Sequence, residues 1–265
     1  MTFLGDAVET YIDVQGHPTW ISDDRSDLPP ILLLHGGLLS SASSWSDVPD
    51  RLREHHRVLM FDRRGHGHTA DTPEPFHYRS MAQEAAAVIE ALEIAPVNAV
   101  GYSDGANLLL HLALDRPELL RSMVLISGNF HHDALYHDGE QMLDSLDEVA
   151  AALYAEYSPD GAEHWPIVAA KGLKMGFHEE PTFSPEDLAP ISMPTLVLAG
   201  DDDMFPAAHT VSMFDALPNA QLAILPGTSH LVVFEQPALV AELVDTFFAT
   251  DGKRHTLAPM RRTTS

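Results

Sequence analysis

The sequence predicts a doubly wound, mostly parallel α/β sheet carrying an inserted helical cap, and three observations point to it. Short apolar runs alternate with amphipathic stretches along most of the chain. The runs are almost continuously apolar, as strands covered on both faces must be. One interval, from Phe130 to about Pro190, holds no strand-like run where a short connection is the norm.

Taken in order, Val8–Val14 and Thr19–Ser22 read as an antiparallel hairpin with Gly16 in its turn. Parallel strands follow at Ile31–Leu34, Val58–Phe61, Val97–Tyr102, Met123–Ser127, Thr195–Ala199 and Leu222–Leu225. Helical spacing marks Trp45–Glu54, Met81–Leu92, Gly105–Asp115, Ala207–Leu217 and Ala238–Phe248. Within the long interval, Leu143, Leu146, Val149, Ala150, Leu153, Tyr154 and Tyr157 share one helical face, and Trp165, Val168, Ala169 and Leu173 share another. Pro181, Pro185 and Pro190 punctuate the return to the sheet. The expected organisation is a core of residues 1–129 and 191–250, a helical cap at 130–190 and a flexible basic tail at 251–265.

Length and composition narrow the function classes. The 265 residues suit one sizeable domain, and 45% apolar with 20% charged residues is the balance of a folded chain. Having no Cys excludes disulfides, thiolate zinc sites, iron–sulfur clusters and a Cys nucleophile. A net charge of −24 repels nucleic-acid phosphates and anionic membrane surfaces, so neither is expected as a partner. The segment Lys253–Ser265 holds four basic residues and no acid, too little against an acidic body to argue otherwise. No basic-then-apolar leader opens the sequence and no run of about 18 apolar residues occurs, so a soluble, cytoplasmic protein is expected.

The sharpest local signal is Gly101-Tyr102-Ser103-Asp104-Gly105, directly after one apolar strand and directly before an amphipathic helix. A Ser there occupies a tight turn that lifts its hydroxyl clear of the backbone, and flanking glycines leave room for neighbouring chain. The following helix aims its N-terminal amides at any negative charge that forms beside the Ser. A Ser hydroxyl needs a base, and the base an orienting acid. Both occur downstream, each just past a strand: Asp201-Asp202-Asp203 after Thr195–Ala199, and His230 after Leu222–Leu225. Strands of a parallel sheet end on one edge, so these groups converge. The spacing alone leaves the choice among the three acids open.

With His35-Gly36-Gly37, the loop Asp62-Arg63-Arg64-Gly65-His66-Gly67-His68-Thr69, Gly200-x-x-Asp203 and Gly227-Thr228-Ser229-His230 added, the chain from about Val8 to Phe248 resembles serine hydrolases of the α/β-hydrolase fold. The resemblance implies Ser103 as nucleophile, His230 as base and Asp203 as the acid, with Asp201 and Asp202 left as loop caps or solvated acids. It implies an oxyanion hole formed by the backbone N–H groups of Gly37 and Asp104, with Leu38 the neighbour to consider if Gly37 is displaced. It also assigns His35 to bracing its loop, as Asp62 and Arg63 brace theirs. The alternative acid position, Ser127-Gly128-Asn129, holds no carboxylate. The Asp104 side chain could cap its own helix or bind a cationic substrate group.

Histidines 131, 132, 137, 164 and 178 fall in the expected cap with no fixed ligand spacing, so neither a metal nor an organic cofactor is expected. The implied reaction is hydrolysis of a carboxylic ester of a small to medium, largely apolar molecule through an acyl-enzyme. Lactone hydrolysis, carbon–carbon bond hydrolysis and cofactor-free peroxidation or haloperoxidation use the same three residues and stay open. Epoxide hydrolases and haloalkane dehalogenases of this fold use an Asp nucleophile, and position 103 is Ser. A non-catalytic ligand-binding protein on the same fold would be expected to lack part of the triad or the oxyanion glycines. The residues do not specify an oligomeric state.

Overall fold

A computed structural model describes residues 7–136, 146–253 and 256–258. The strands are β1 (Val8–Val14), β2 (His17–Asp23), β3 (Pro30–Leu34), β4 (Arg57–Phe61), β5 (Val97–Tyr102), β6 (Leu120–Ile126), β7 (Thr195–Asp202) and β8 (Ala220–Ser229). They form one sheet in the order β1-β2-β4-β3-β5-β6-β7-β8. The β1–β2 and β2–β4 pairs are antiparallel, and the remaining pairs from β4 through β8 are parallel. Gly16 turns the first hairpin at φ 84°.

The helices are α1 (Ser41–Ser44), α2 (Val48–Leu52), α3 (Tyr78–Ala91), α4 (Asp104–Asp115), α5 (Asp147–Tyr157), α6 (Trp165–Leu173), α7 (Pro185–Leu188), α8 (Ala207–Ala216), α9 (Val232–Glu235) and α10 (Pro237–Ala249). The single helix expected over Trp45–Glu54 is instead two short ones. Ser40 caps the first in a capping box, and Pro49 sits in the first turn of the second, where its missing N–H costs nothing. His55 and His56 consequently lie in the turn after α2, where Asp245 of α10 holds both.

Alternate residues of each strand feed two separate cores. Leu32, Leu34, Ala99, Met123, Leu125 and Val197 join a core with residues of α3, α4 and α8, whereas Ile31, Leu33, Val100, Val124, Leu196 and Leu198 join one with Trp45, α2 and α10. Full burial of each Leu or Ile stabilises the fold by roughly 1.5–3 kcal/mol, so both sheet faces must be covered.

Between β6 and β7 the regular elements among the described residues are helices joined by loops, apart from an isolated bridge of His131 with Thr182. Tyr154, Trp165, Val168 and Met175 of this segment join the first core. Val149 does not follow the expected buried face and is 58% exposed. It lies some 60° off the stripe of Leu146, Ala150, Leu153 and Tyr157 on a helix turning 100° per residue. Leu143 and His137 lie outside the described residues, as does most of the expected basic tail. No helix among the described residues is long and apolar enough to cross a membrane.

Candidate active site

Ser103 joins β5 to α4 with φ 53° and ψ −118°, a conformation that costs a non-glycine residue about 1–3 kcal/mol. Its amide donates to the Ile126 carbonyl at 2.8 Å, and its own carbonyl accepts the Ala106 and Asn107 amides at 2.8 and 3.1 Å. Those bonds hold the strained turn. The flanking glycines are sterically required: a Cβ on Gly101 would lie 2.2 Å from the Gly105 carbonyl oxygen, and one on Gly105 would lie 2.1 Å from that of Leu34.

Beyond β8, His230 Nε2 lies 3.0 Å from Ser103 Oγ, and His230 Nδ1 lies 2.8 Å from Asp203 Oδ1. His230 is 5% and Asp203 7% exposed, so the pair is shielded from water. Burial raises the Asp203 carboxyl, but the charge and hydrogen bond of His230 and the Phe205 amide outweigh it, and the group ends below the ordinary carboxylate value. Of the three adjacent acids, only Asp203 meets the imidazole. Asp201 accepts the Gly227 amide at 2.7 Å and so ties down the loop that carries His230. Glu235 does the same through the Ser229 amide and hydroxyl, at 2.7 and 2.8 Å, and Tyr102 donates to the His230 carbonyl at 3.2 Å.

Gly37 and Asp104 stand on opposite sides of one small space. A Cβ on Gly37 would lie 2.4 Å from Asp104 Oδ2, so the glycine is needed for the carboxylate rather than for its own torsion. The left-handed residue in this loop is Leu38, at φ 57°. Asp104 is the first residue of α4, where backbone N–H groups lack intrahelical acceptors.

Beneath this loop, His35 Nε2 accepts the Arg63 amide at 3.1 Å, while the Arg63 guanidinium donates to the His35 and Gly36 carbonyls at 2.7 and 2.9 Å. Burial, followed by the Arg63 charge, holds the His35 imidazole well below its usual value, so it is a neutral brace. Asp62 is equally structural, accepting the Ser41 and His68 amides at 2.7 and 2.9 Å.

Ser103, Asp104, Gly37 and His230 line a cavity of about 140 Å³ whose other walls include Leu146, Trp165, Leu173, Phe177 and Phe205. Two polar lining residues escaped the sequence reading. Tyr78, from the start of α3, donates to Asp104 Oδ1 at 2.6 Å, and Asp147, from α5, accepts the Trp165 indole N–H at 3.0 Å. Neither belongs to a motif, and only packing brings them here. Outside the cavity, among the described residues, His131, His132 and Asp133 place possible ligand atoms within 4.8 Å of one another on the surface, though His131 Nδ1 already accepts the Asp133 amide at 3.2 Å.

Residues 29–159 match the family model described as the alpha/beta hydrolase fold. The chain is 32% identical over 226 residues to RutD of Pseudomonas savastanoi pv. phaseolicola, named for carbamate hydrolysis, a match covering 76% of this chain and 86% of that protein. It is 30% identical over 256 residues to BpoC of Mycobacterium tuberculosis, named as a non-heme bromoperoxidase, covering 86% and 97% respectively. The solved structure of a serine hydrolase involved in carbazole degradation superposes with a TM-score of 0.77 at 21% identity, over 92% of this chain and 99% of that one.

Proposed function

Because the chain belongs to the α/β-hydrolase family, we propose that this hydrolase cleaves a carboxylic ester of a small to medium, largely apolar molecule through an acyl-enzyme on Ser103. The observation that carries the reading is the continuous relay from Ser103 Oγ through His230 to Asp203, at 3.0 and 2.8 Å, opening on an apolar-walled cavity.

In this mechanism Ser103 Oγ attacks the ester carbonyl carbon while His230 Nε2 takes its proton. Asp203 holds the imidazole in the Nδ1–H tautomer and stabilises the imidazolium. The Gly37 and Asp104 amides receive the tetrahedral oxyanion, with the α4 dipole adding to the attraction. His230 then protonates the departing alkoxide. Water, deprotonated by the same imidazole, attacks the acyl-enzyme, and the acid leaves as Ser103 regains its proton. Residues 130–190 act as the cap that shapes the acyl pocket through Trp165, Leu173 and Phe177.

Attack on a carbamoyl carbon uses the same groups, and the 32% identity to RutD supports it as a second reading. The test is turnover of a p-nitrophenyl ester chain-length series, with p-nitrophenyl carbamates alongside, by wild type and Ser103→Ala. Ester turnover by wild type alone supports the first reading, and carbamate turnover without ester turnover supports the second. Equal rates from both proteins on both series contradict both readings.

A further inference from the structure

Resting on the serine-hydrolase reading, we infer that Asp104 makes the acyl pocket selective for an ester whose acyl group carries a cationic amine. A carboxylate next to a proposed nucleophile, facing a cavity that is otherwise largely apolar, requires a reason. Among the described lining residues, Asp104 and Asp147 supply two carboxylates and there is no Lys or Arg. Asp104 is partly buried. Its Oδ1 accepts the Tyr78 hydroxyl at 2.6 Å. No hydrogen bond reaches Oδ2 from the described residues, although that oxygen lies against Gly37, beside the proposed oxyanion position. The buried Arg63 guanidinium acts on Asp104 through its charge, but it directs two of its donors at the His35 and Gly36 carbonyls and forms no hydrogen-bonded ion pair with Asp104 among the described residues. The carboxylate therefore retains acceptor capacity on the cavity side.

Trp165, Phe177, Phe205, Tyr78 and Tyr102 present aromatic surface around the same space. Aromatic faces with a carboxylate attract ammonium groups and give no such gain to a neutral alkyl chain. The overall charge of −24 adds a long-range attraction for cations. A purely structural role, Asp104 favouring the α4 N-terminus and anchoring Tyr78, predicts no preference between a charged acyl group and its neutral isostere.

The experiment compares ethyl 4-(dimethylamino)butanoate, protonated at neutral pH, with its carbon isostere ethyl 5-methylhexanoate. In wild type the cationic ester is expected to have the higher kcat/KM by roughly ten- to a hundredfold, the range of a hydrogen bond to a charged group. In Asp104→Asn the ratio falls toward one. A wild-type ratio of one or below overturns the inference without any variant. A high ratio that survives in Asp104→Asn overturns the assignment to Asp104.

If neither ester is hydrolysed, calorimetric titration of both into Ser103→Ala decides. At least about tenfold tighter binding of the amine ester upholds the subsite, and equal binding removes it. Turnover of both esters without preference rejects the subsite and leaves the hydrolase reading intact. Selective binding without turnover keeps the subsite and counts against ester hydrolysis alone.

Discussion

Two carboxylates of one site are driven in opposite directions by their surroundings. Burial raises Asp104 despite the Arg63 charge and the Tyr78 hydrogen bond, whereas Asp203, also raised by burial, is brought below its ordinary value by His230. The Asp203 shift has a definite sign in stability. A carboxyl with a lowered folded pKa stabilises the fold fully above its unfolded value and loses that contribution as pH falls through the folded one. Wild type should therefore lose stability relative to Asp203→Asn as the pH drops below about 4, which urea denaturation at pH 7 and in that acid window measures. A flat difference would contradict the coupling to His230. On activity, Asp203→Asn leaves the shape but misplaces the imidazole proton, so kcat for the best ester should fall on the order of 10⁴-fold.

At the scale of elements, the turn between β5 and α4 and the ties between the 130–190 segment and the core make separate predictions. Gly101→Ala places a methyl against the Gly105 carbonyl, backbone that cannot swing aside, so it should cost at least about 2 kcal/mol and abolish activity. Thermal unfolding and ester turnover check both. Asp71, in the loop after β4, accepts Lys171 of α6 at 2.7 Å and His164 at 2.9 Å, while its amide donates to Asp160 at 2.7 Å. Asp71→Ala leaves Lys171 partly buried without its carboxylate, costing about 2–4 kcal/mol, and limited proteolysis should shift to residues 147–188. Unchanged cleavage would mean that the apolar contacts of Trp165 and Val168 hold that segment unaided.

Elements were legible where the signal is local. Val97–Tyr102, Ser103 and the helix after it read directly from an apolar run, two glycines and helical spacing. β7 and β8 extend to Asp202 and Ser229, past their apolar runs, because parallel pairing continues after the hydrophobic pattern stops. Tyr78 and Asp147 reach the site from two distant segments, so no spacing could have revealed them.

For the whole molecule, acid sensitivity follows from buried histidines. Burial, then the Arg63 charge, lowers His66 to about 3, and burial with the nearby His131 lowers His209 to about 4. A His with a depressed folded pKa takes up its proton in the unfolded state first, so stability is full above about pH 6.5 and declines toward the folded value. Each such residue contributes up to about 1.4 kcal/mol per pH unit within that window. Partial neutralisation of the −24 charge opposes this by easing self-repulsion, and salt screens that opposing effect. In high salt, His66→Gln should therefore show a shallower loss of stability between pH 6.5 and 4 than wild type. Parallel curves would place His66 in water in the native state.

The central claim, that Ser103 is an activated nucleophile, is tested most directly by treating the protein with a serine-directed fluorophosphonate and mapping the adduct by peptide mass spectrometry. One adduct on Ser103 is predicted in wild type, with none in Ser103→Ala and much slower labelling in His230→Ala. An unlabelled Ser103 in folded wild type, or labelling unaffected by loss of His230, would contradict the account.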